Sequence, residues 1–505
     1  MKCFDLSGLW DCKIPGQNAR MRLPGTLDES GIGFPDDPEK QWKVDEVQRI
    51  GFWQKGDPIV TRLTRKYMYE GPAELSRTVE WEIPQGKRLF VDVERARFLQ
   101  LYVNGQKALL YRPASLTTPY TYEVTGMMTG HDRLRFVSDN SYPGWPRESI
   151  VYASAASDET QTNWNGLLGS VRIRTENSVF ISDLRVYPYG NTLRIAVEID
   201  AASSWQGVLS FKSEALSRLV EKPVYMPAGR QEFCYDLSLA EDARRWDMGE
   251  GNLYDLTVSA EGMDTYTTRF GIREFRAEAG HLTLNGRRVF LRGEANCAVF
   301  PETGYCPMDV DTWKEILRKY GSYGVNCMRF HSHCPPEAAF TAADELGMLM
   351  QPELSHWDPR HAFESEEAQA YYRNELLQIL RHLACHPSFV MLTFGNELCA
   401  GKAGHAFMDE LLDAAREYDP TRLYANGSNT HYGELGVDPK SDFYTAMRFH
   451  EHDMRATCDS MRGWLNNEYP NSRRDYSKAM GTIRAGSDKP VFSFEVGQYE
   501  ALPGF

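Results

Sequence analysis

From Gly271 onward, short apolar runs alternate with amphipathic helical stretches. A chain with this alternation closes into a parallel sheet flanked by helices. Strands are predicted at Val289–Gly293, Val325–His331, Met348–Glu353, Phe389–Glu397, Leu423–Asn429, Phe443–Phe449 and Val491–Val496. Between the earlier ones lie predicted helices at Asp309–Tyr320, Pro335–Leu346, Glu366–Ala384 and Gly404–Tyr418. Asp309 supplies an N-cap and Pro335 sits in a first turn. Seven strands make most of a (β/α)8 TIM barrel, here truncated after strand 7, which leads us to expect a fragment of a longer protein.

Two of these runs end on a carboxylate. Phe389-Val-Met-Leu-Thr-Phe-Gly-Asn396-Glu397 is one, and Pro490-Val-Phe-Ser-Phe-Glu495 is the other. A Glu at the carboxyl end of a buried strand is costly to desolvate, so it serves chemistry or a buried ion pair. Two such carboxylates at one barrel mouth suit glycoside hydrolysis, one as proton donor and the other as nucleophile. Asn396 adds an amide placed to bind a sugar hydroxyl.

The preceding residues read differently. Segments such as Arg88–Glu94, Phe98–Val103 and Arg133–Val137 alternate apolar and polar residues, and Asn104-Gly105 signals a hairpin. Residues 1–175 therefore read as a jelly-roll β-sandwich of sugar-binding type. Residues 176–275 carry a second series of short strands, as in an immunoglobulin-like β-sandwich. Residues 276–505 form the barrel, with its C-terminal part missing. A length of 505 residues accommodates about three such domains.

Charge narrows the partners. With 56 basic and 70 acidic residues the net charge is −14, which disfavours nucleic acid and anionic membranes. No apolar run reaches the roughly 18 residues that a membrane helix needs. The ten cysteines are scattered without paired spacing and read as reduced thiols. With no signal-peptide core at the N-terminus, this points to the cytoplasm, or to the periplasm or exterior if a signal peptide has been removed.

The order of domains and four motifs resemble glycoside hydrolase family 2. Phe270-Gly-Ile-Arg-Glu-Phe leading to Leu284–Gly293 is similar to the family's approach to its first barrel strand. Asn326-Cys-Met-Arg329-Phe-His331-Ser-His333-Cys-Pro resembles its second strand, with one extra residue. Gly395-Asn396-Glu397 and Phe494-Glu495-Val-Gly resemble its acid/base and nucleophile motifs. The resemblance implies a retaining exo-β-glycosidase, foremost a β-galactosidase. β-Glucuronidase, β-mannosidase and arabinopyranosidase are the alternatives within the family, and a non-catalytic carbohydrate-binding protein is the alternative outside it. Glu397 is then the acid/base and Glu495 the nucleophile. The substrate is an oligosaccharide or small glycoside, no cofactor or metal is needed, and a homo-oligomer is compatible.

Further candidates for substrate contact are Asn396, His331, His333, Arg292, Glu353, Trp357, His450, Asn163 and Trp164. His331 and His333 alternate on their strand, so only one of them faces the barrel interior. Arg292 and Arg329 are expected to end strands one and two. Trp357 offers a flat face for a sugar ring. Asn163 and Trp164 lie in the polar-aromatic loop Gln161–Gly166 of the first domain.

Overall fold

The computed structural model describes residues 2–35, 63, 65–158, 160–427, 438–445, 448–449, 452–453, 488–492 and 494–495. Two six-stranded antiparallel sheets occupy the N-terminal region. One runs in the order Lys2–Asp5, Gly166–Glu176, Arg88–Ala96, Tyr120–Glu123, Leu109–Leu110, with Gly25–Thr26 paired to the second of these. The other runs Gln106–Lys107, Phe98–Val103, His131–Asp139, Pro72–Glu80, Gly8–Ile14, Gln17–Leu23. Every second residue of Phe98–Val103 is buried, the period that a half-buried strand requires. The buried faces share one core containing Trp10, Val91, Leu101, Tyr120 and Phe136. Asn104 and Gly105 both take positive φ (51° and 85°), the backbone of a tight hairpin turn.

Two smaller antiparallel sheets follow. They are Val179–Tyr189, Thr192–Ala201, Gly229–Ser238 and Val220–Met226, Trp205–Lys212, Tyr254–Ser259, Tyr266–Phe270. A second core, with Ile195, Val197, Phe211 and Val258, fills the space between them.

The barrel elements are β1 (Gly293–Asn296), α1 (Val310–Ser322), β2 (Cys327–Phe330), α2 (Glu337–Leu346), β3 (Leu349–Pro352), α3 (Glu366–His382), β4 (Met391–Thr393), α4 (Lys402–Tyr418), β5 (Leu423–Ala425), β6 (Tyr444–Thr445) and β7 (Val491–Phe492). Strands β1, β2 and β3 pair in parallel, as do β4 with β5 and β6 with β7. Parallel bridges at Met350–Phe389 and Glu353–Thr393 join β3 to β4. Asp309 and Ser365 cap α1 and α3 by accepting from Thr312 and Ala368 N–H groups.

The first barrel strand lies further along the chain than Val289–Gly293. Arg287–Val289 pairs antiparallel with His281–Leu284 through a turn at Asn285-Gly286. Leu282, Leu284 and Val289 of this hairpin pack against Cys327, Leu349, Met391 and Leu423, the first residues of β2, β3, β4 and β5. The hairpin therefore covers the amino end of the barrel. The carboxyl end, where a barrel carries its chemistry, faces the N-terminal region. A short helix there, Arg147–Tyr152, has no precedent in the strand-like pattern around it. Its Ile150 and Val151 belong to the same core as Phe330, Leu354 and Leu392 of the barrel.

Candidate active site

Arg329 in β2 is the centre of the site. It is the third residue of its strand and its side chain is buried. A buried guanidinium needs carboxylates and acceptors around it. Its Nε donates to Glu353 Oε1 at 2.7 Å and its Nη2 to Glu353 Oε2 at 3.3 Å. Nη2 also donates to Asn396 Oδ1 at 2.7 Å, and Nη1 to Glu495 Oε1 at 3.4 Å. Its flat face lies 4.4 Å from the Phe494 ring centroid. One side chain thus gathers residues from beyond β3, β4 and β7.

Glu353 follows β3 directly and is fully buried. Besides Arg329 it accepts from Ser332 N–H at 2.7 Å and from Thr393 Oγ1 at 2.9 Å. Four donors meet its two oxygens, which leaves no lone pair to read a substrate hydroxyl. Glu353 holds Arg329 in place, beside neighbours whose polar atoms are not all engaged.

Asn396 is one such neighbour. Its Oδ1 is used by Arg329, while its Nδ2 is buried without a partner. An unpaired buried amide donor is costly unless a ligand supplies the acceptor. Glu397 follows with φ at 45°, a left-handed backbone uncommon outside glycine. Gly395 sits just before, with φ at 136°, and a Cβ there would lie 2.1 Å from His356 O. The chain therefore turns sharply after β4, and Asn396 N–H donates to His356 O at 3.0 Å.

His331 stands on the other side of Glu495. Its Nε2 is 3.7 Å from Glu495 Oε1, and its Nδ1 lies 3.0 Å from Ser154 Oγ and 3.1 Å from Ser332 Oγ. Burial, helped by the Arg329 charge, pushes its pKa down to about 3, so the ring is neutral near neutral pH. Trp357 meets it edge-on, with ring centroids 5.0 Å apart. The half-buried indole has its Nε1 without a partner.

Several expected contacts fall elsewhere. Arg292 precedes β1 instead of ending it. Its Nε donates to Gly324 O at 2.6 Å, at the amino end of the barrel and away from Glu495. His333 turns aside because Ser332 takes positive φ (48°) and breaks the strand's alternation. Its Nδ1 donates to His331 O at 3.0 Å, and it lines a small cavity of about 20 Å³ with Arg95, Arg97 and Trp164. Burial brings His333 down to about 4. Asn163 is spent inside the N-terminal region. Its Oδ1 accepts from Tyr142 at 2.7 Å and its Nδ2 donates to Asn140 O at 3.0 Å. Trp164 is buried with its ring 4.1 Å from the Arg97 guanidinium. His450 lies outside the described residues.

Ser154, Ser332 and Thr393 join the site without any sequence signal of their own. Ser154 comes from the N-terminal region, so a segment beside the Gln161–Gly166 loop, and not Asn163 or Trp164, reaches His331. Among the described residues, no three His, Cys, Asp or Glu side chains converge as a metal cage would require.

A parallel β/α barrel behind two β-rich regions, with a carboxylate cluster at its strand ends, defines a multidomain barrel protein whose polar side chains converge where a barrel carries its chemistry. Residues 275–497 match the family described as glycosyl hydrolases family 2, TIM barrel domain, and this barrel region belongs to glycoside hydrolase family 2. Over 360 residues it is 25% identical to a β-galactosidase of Thermoanaerobacterium thermosulfurigenes, covering 65% of this chain and 48% of that protein. Over 199 residues it is 28% identical to a putative β-glucuronidase of Formosa agariphila, covering 37% of this chain and 24% of that one. The chain thus spans less than half the length of these relatives. A β-galacturonidase from Eisenbergiella tayi, solved with galacturonate bound, shares the fold with a TM-score of 0.72 at 17% identity, over 100% of this chain and 83% of that one.

Proposed function

We propose that the protein is a retaining exo-β-glycosidase acting on terminal non-reducing sugars, with β-galactosides as its first substrate class. The observation that carries this is the Glu495 carboxylate. It is held by Arg329 at 3.4 Å and faced by His331 at 3.7 Å, in the same cluster as the unpartnered amide nitrogen of Asn396.

In this reading Glu495 attacks the anomeric carbon while Glu397 protonates the departing glycosidic oxygen. The sugar is then esterified to Glu495. Glu397, now a carboxylate, takes a proton from water, and the resulting hydroxide displaces Glu495. Retention calls for carboxyl groups roughly 5 to 5.5 Å apart. Asn396 Nδ2 donates to the 2-hydroxyl, a bond that tightens at the transition state. Trp357 gives the sugar an apolar face. No organic cofactor enters these steps.

Local charge favours a neutral sugar. Arg329 is already engaged by Glu353, Asn396 and Glu495, and His331 is neutral. Neither has charge to spare for a uronate. A uronide is the second reading, favoured by the likeness to a putative β-glucuronidase. Nitrophenyl β-galactoside, glucuronide, mannoside and arabinopyranoside, tested on the full-length protein, separate these sugars. Incubation with 2-deoxy-2-fluoro-β-galactosyl fluoride tests the chemistry. Mass spectrometry should find the label on Glu495, whereas binding without label would mean a carbohydrate-binding protein.

We read the two β-rich regions as a jelly-roll over 1–175 and an immunoglobulin-like sandwich over 176–275, with the barrel over 276–505. Their paired antiparallel sheets around separate cores support this division.

A further inference from the structure

We propose that Ser154, in the N-terminal region, is a positioning residue for the barrel site: its hydroxyl donates to His331 Nδ1 and keeps the imidazole Nε2–H turned toward Glu495. The inference rests on reading Glu495 as the nucleophile.

Ser154 is fully buried just beyond the helix Arg147–Tyr152. Its main chain is fixed on both sides. The N–H donates to Ser332 Oγ at 2.8 Å, and the carbonyl accepts from Gln161 Nε2 at 2.6 Å. The next carbonyl, of Ala155, accepts from Arg97 Nη1 at 2.7 Å. Arg97 also donates through Nη2 to Thr162 O at 2.8 Å and through Nε to Trp164 O at 3.2 Å. This frame leaves Ser154 Oγ 3.0 Å from His331 Nδ1. Among the described residues the Oγ has no other hydrogen-bond partner.

A neutral imidazole has one N–H and one lone pair. The Glu495 carboxylate, when ionised, only accepts. Nε2 at 3.7 Å from it is therefore favourable as N–H and repulsive as a lone pair. Nδ1 must then be the acceptor, and it needs a donor. Ser154 and Ser332 both approach it, but Ser332 Oγ is also the acceptor for Ser154 N–H. Ser154 thus supplies one donor directly and orients the other. Trp357, edge-on to the ring, limits its rotation. Without the Ser154 hydroxyl, His331 is free to protonate on Nδ1, donate to Ser332 and turn a lone pair on Glu495.

The test uses the whole chain with 15N-labelled histidine. In the wild type, His331 should show a protonated Nε2 and an unprotonated Nδ1, with His331→Gln identifying the resonances. In Ser154→Ala the two nitrogens should move toward each other as the tautomers mix. The rate constant for inactivation by the fluoro-galactoside should fall about 10- to 100-fold, as happens when a metal-bound imidazole loses its outer partner, with little change in the inhibitor's binding constant. A structural role alone would leave the tautomer untouched. His331 protonated on Nδ1 in the wild type overturns the proposal, even if Ser154→Ala does not fold. So does an unchanged inactivation rate in the variant. If the wild-type enzyme is never labelled, the nucleophile reading fails instead, and the nitrogen spectrum still decides the role of Ser154.

Discussion

The Arg329 guanidinium donates to Asn396 Oδ1 at 2.7 Å, and this fixes which end of the amide remains for a ligand. The nitrogen is the free end. Asn396→Ala should therefore slow hydrolysis of 2-hydroxy glycosides about 10²- to 10³-fold, the cost of losing one preorganised donor. The matching 2-deoxy glycosides should lose much less. Equal losses on both would show that the amide does not read the 2-hydroxyl.

Arg329 also balances Glu353, and both side chains are buried. Arg329→Met should lower stability by about 3–5 kcal/mol, because it leaves a buried carboxylate without its cation. Urea unfolding of the variant measures this. Adding Glu353→Met should recover part of the loss, and a double variant as unstable as the single one would argue against the pairing as the cause.

Glu397→Gln should discriminate between leaving groups. A sugar alkoxide needs protonation as it departs, help worth about 10²- to 10⁴-fold. A dinitrophenolate does not. Aryl substrates should then show a burst of dinitrophenol followed by slow release of the sugar. Uniform loss on aryl and natural glycosides would remove Glu397 as proton donor.

The bend after β4 admits only glycine at 395. Its φ of 136° and the 2.1 Å approach of a Cβ to His356 O make Gly395→Ala a steric conflict with main chain. The substitution should cost about 3 kcal/mol or more. Calorimetry should show a lowered Tm, together with loss of labelling at Glu495.

His386 gives the barrel a pH dependence. Burial on its own lowers its pKa, but Asp344 at 2.6 Å and Glu337 at 3.7 Å overcome this and raise it to about 9. A raised pKa stabilises the charged form in the fold. The contribution is complete below about pH 6.5, the ordinary value, and is lost as pH rises through about 9. It amounts to at most about 3 kcal/mol. Urea midpoints at pH 6 and 9.5 should therefore differ more in the wild type than in His386→Gln.

The sequence exposed what is local. Apolar runs ending in Glu397 and Glu495, the cap at Asp309 and the Asn104-Gly105 hairpin all depend on neighbours in the chain. The first strand was misplaced because Val289-Phe-Leu is as apolar and as short as a barrel strand, and only the pairing of Val289 with Leu282 assigns it to the hairpin instead. Asn163 and Trp164 carry the right chemistry for sugar, but contacts with Tyr142 and Arg97 use it up. The choice between His331 and His333 depended on one left-handed residue, Ser332, which no alternation rule anticipates. The bond from Ser154 to His331 joins residues 177 apart, and a lone serine gives no sign of such a partner.

Arg97 holds its segment through the carbonyls of Ala155, Thr162 and Trp164, and every amino acid has a carbonyl. The shape of this connector is thereby uncoupled from most of the side chains along it. What restricts Ala155 and Thr162 is their own burial, and for Thr162 the bond from its Oγ1 to Gly304 O at 3.1 Å, not the contact with Arg97. Arg97 itself has no latitude, since lysine cannot reproduce three donors set in one plane. Libraries that diversify the loop around the pocket should therefore leave the arginine fixed.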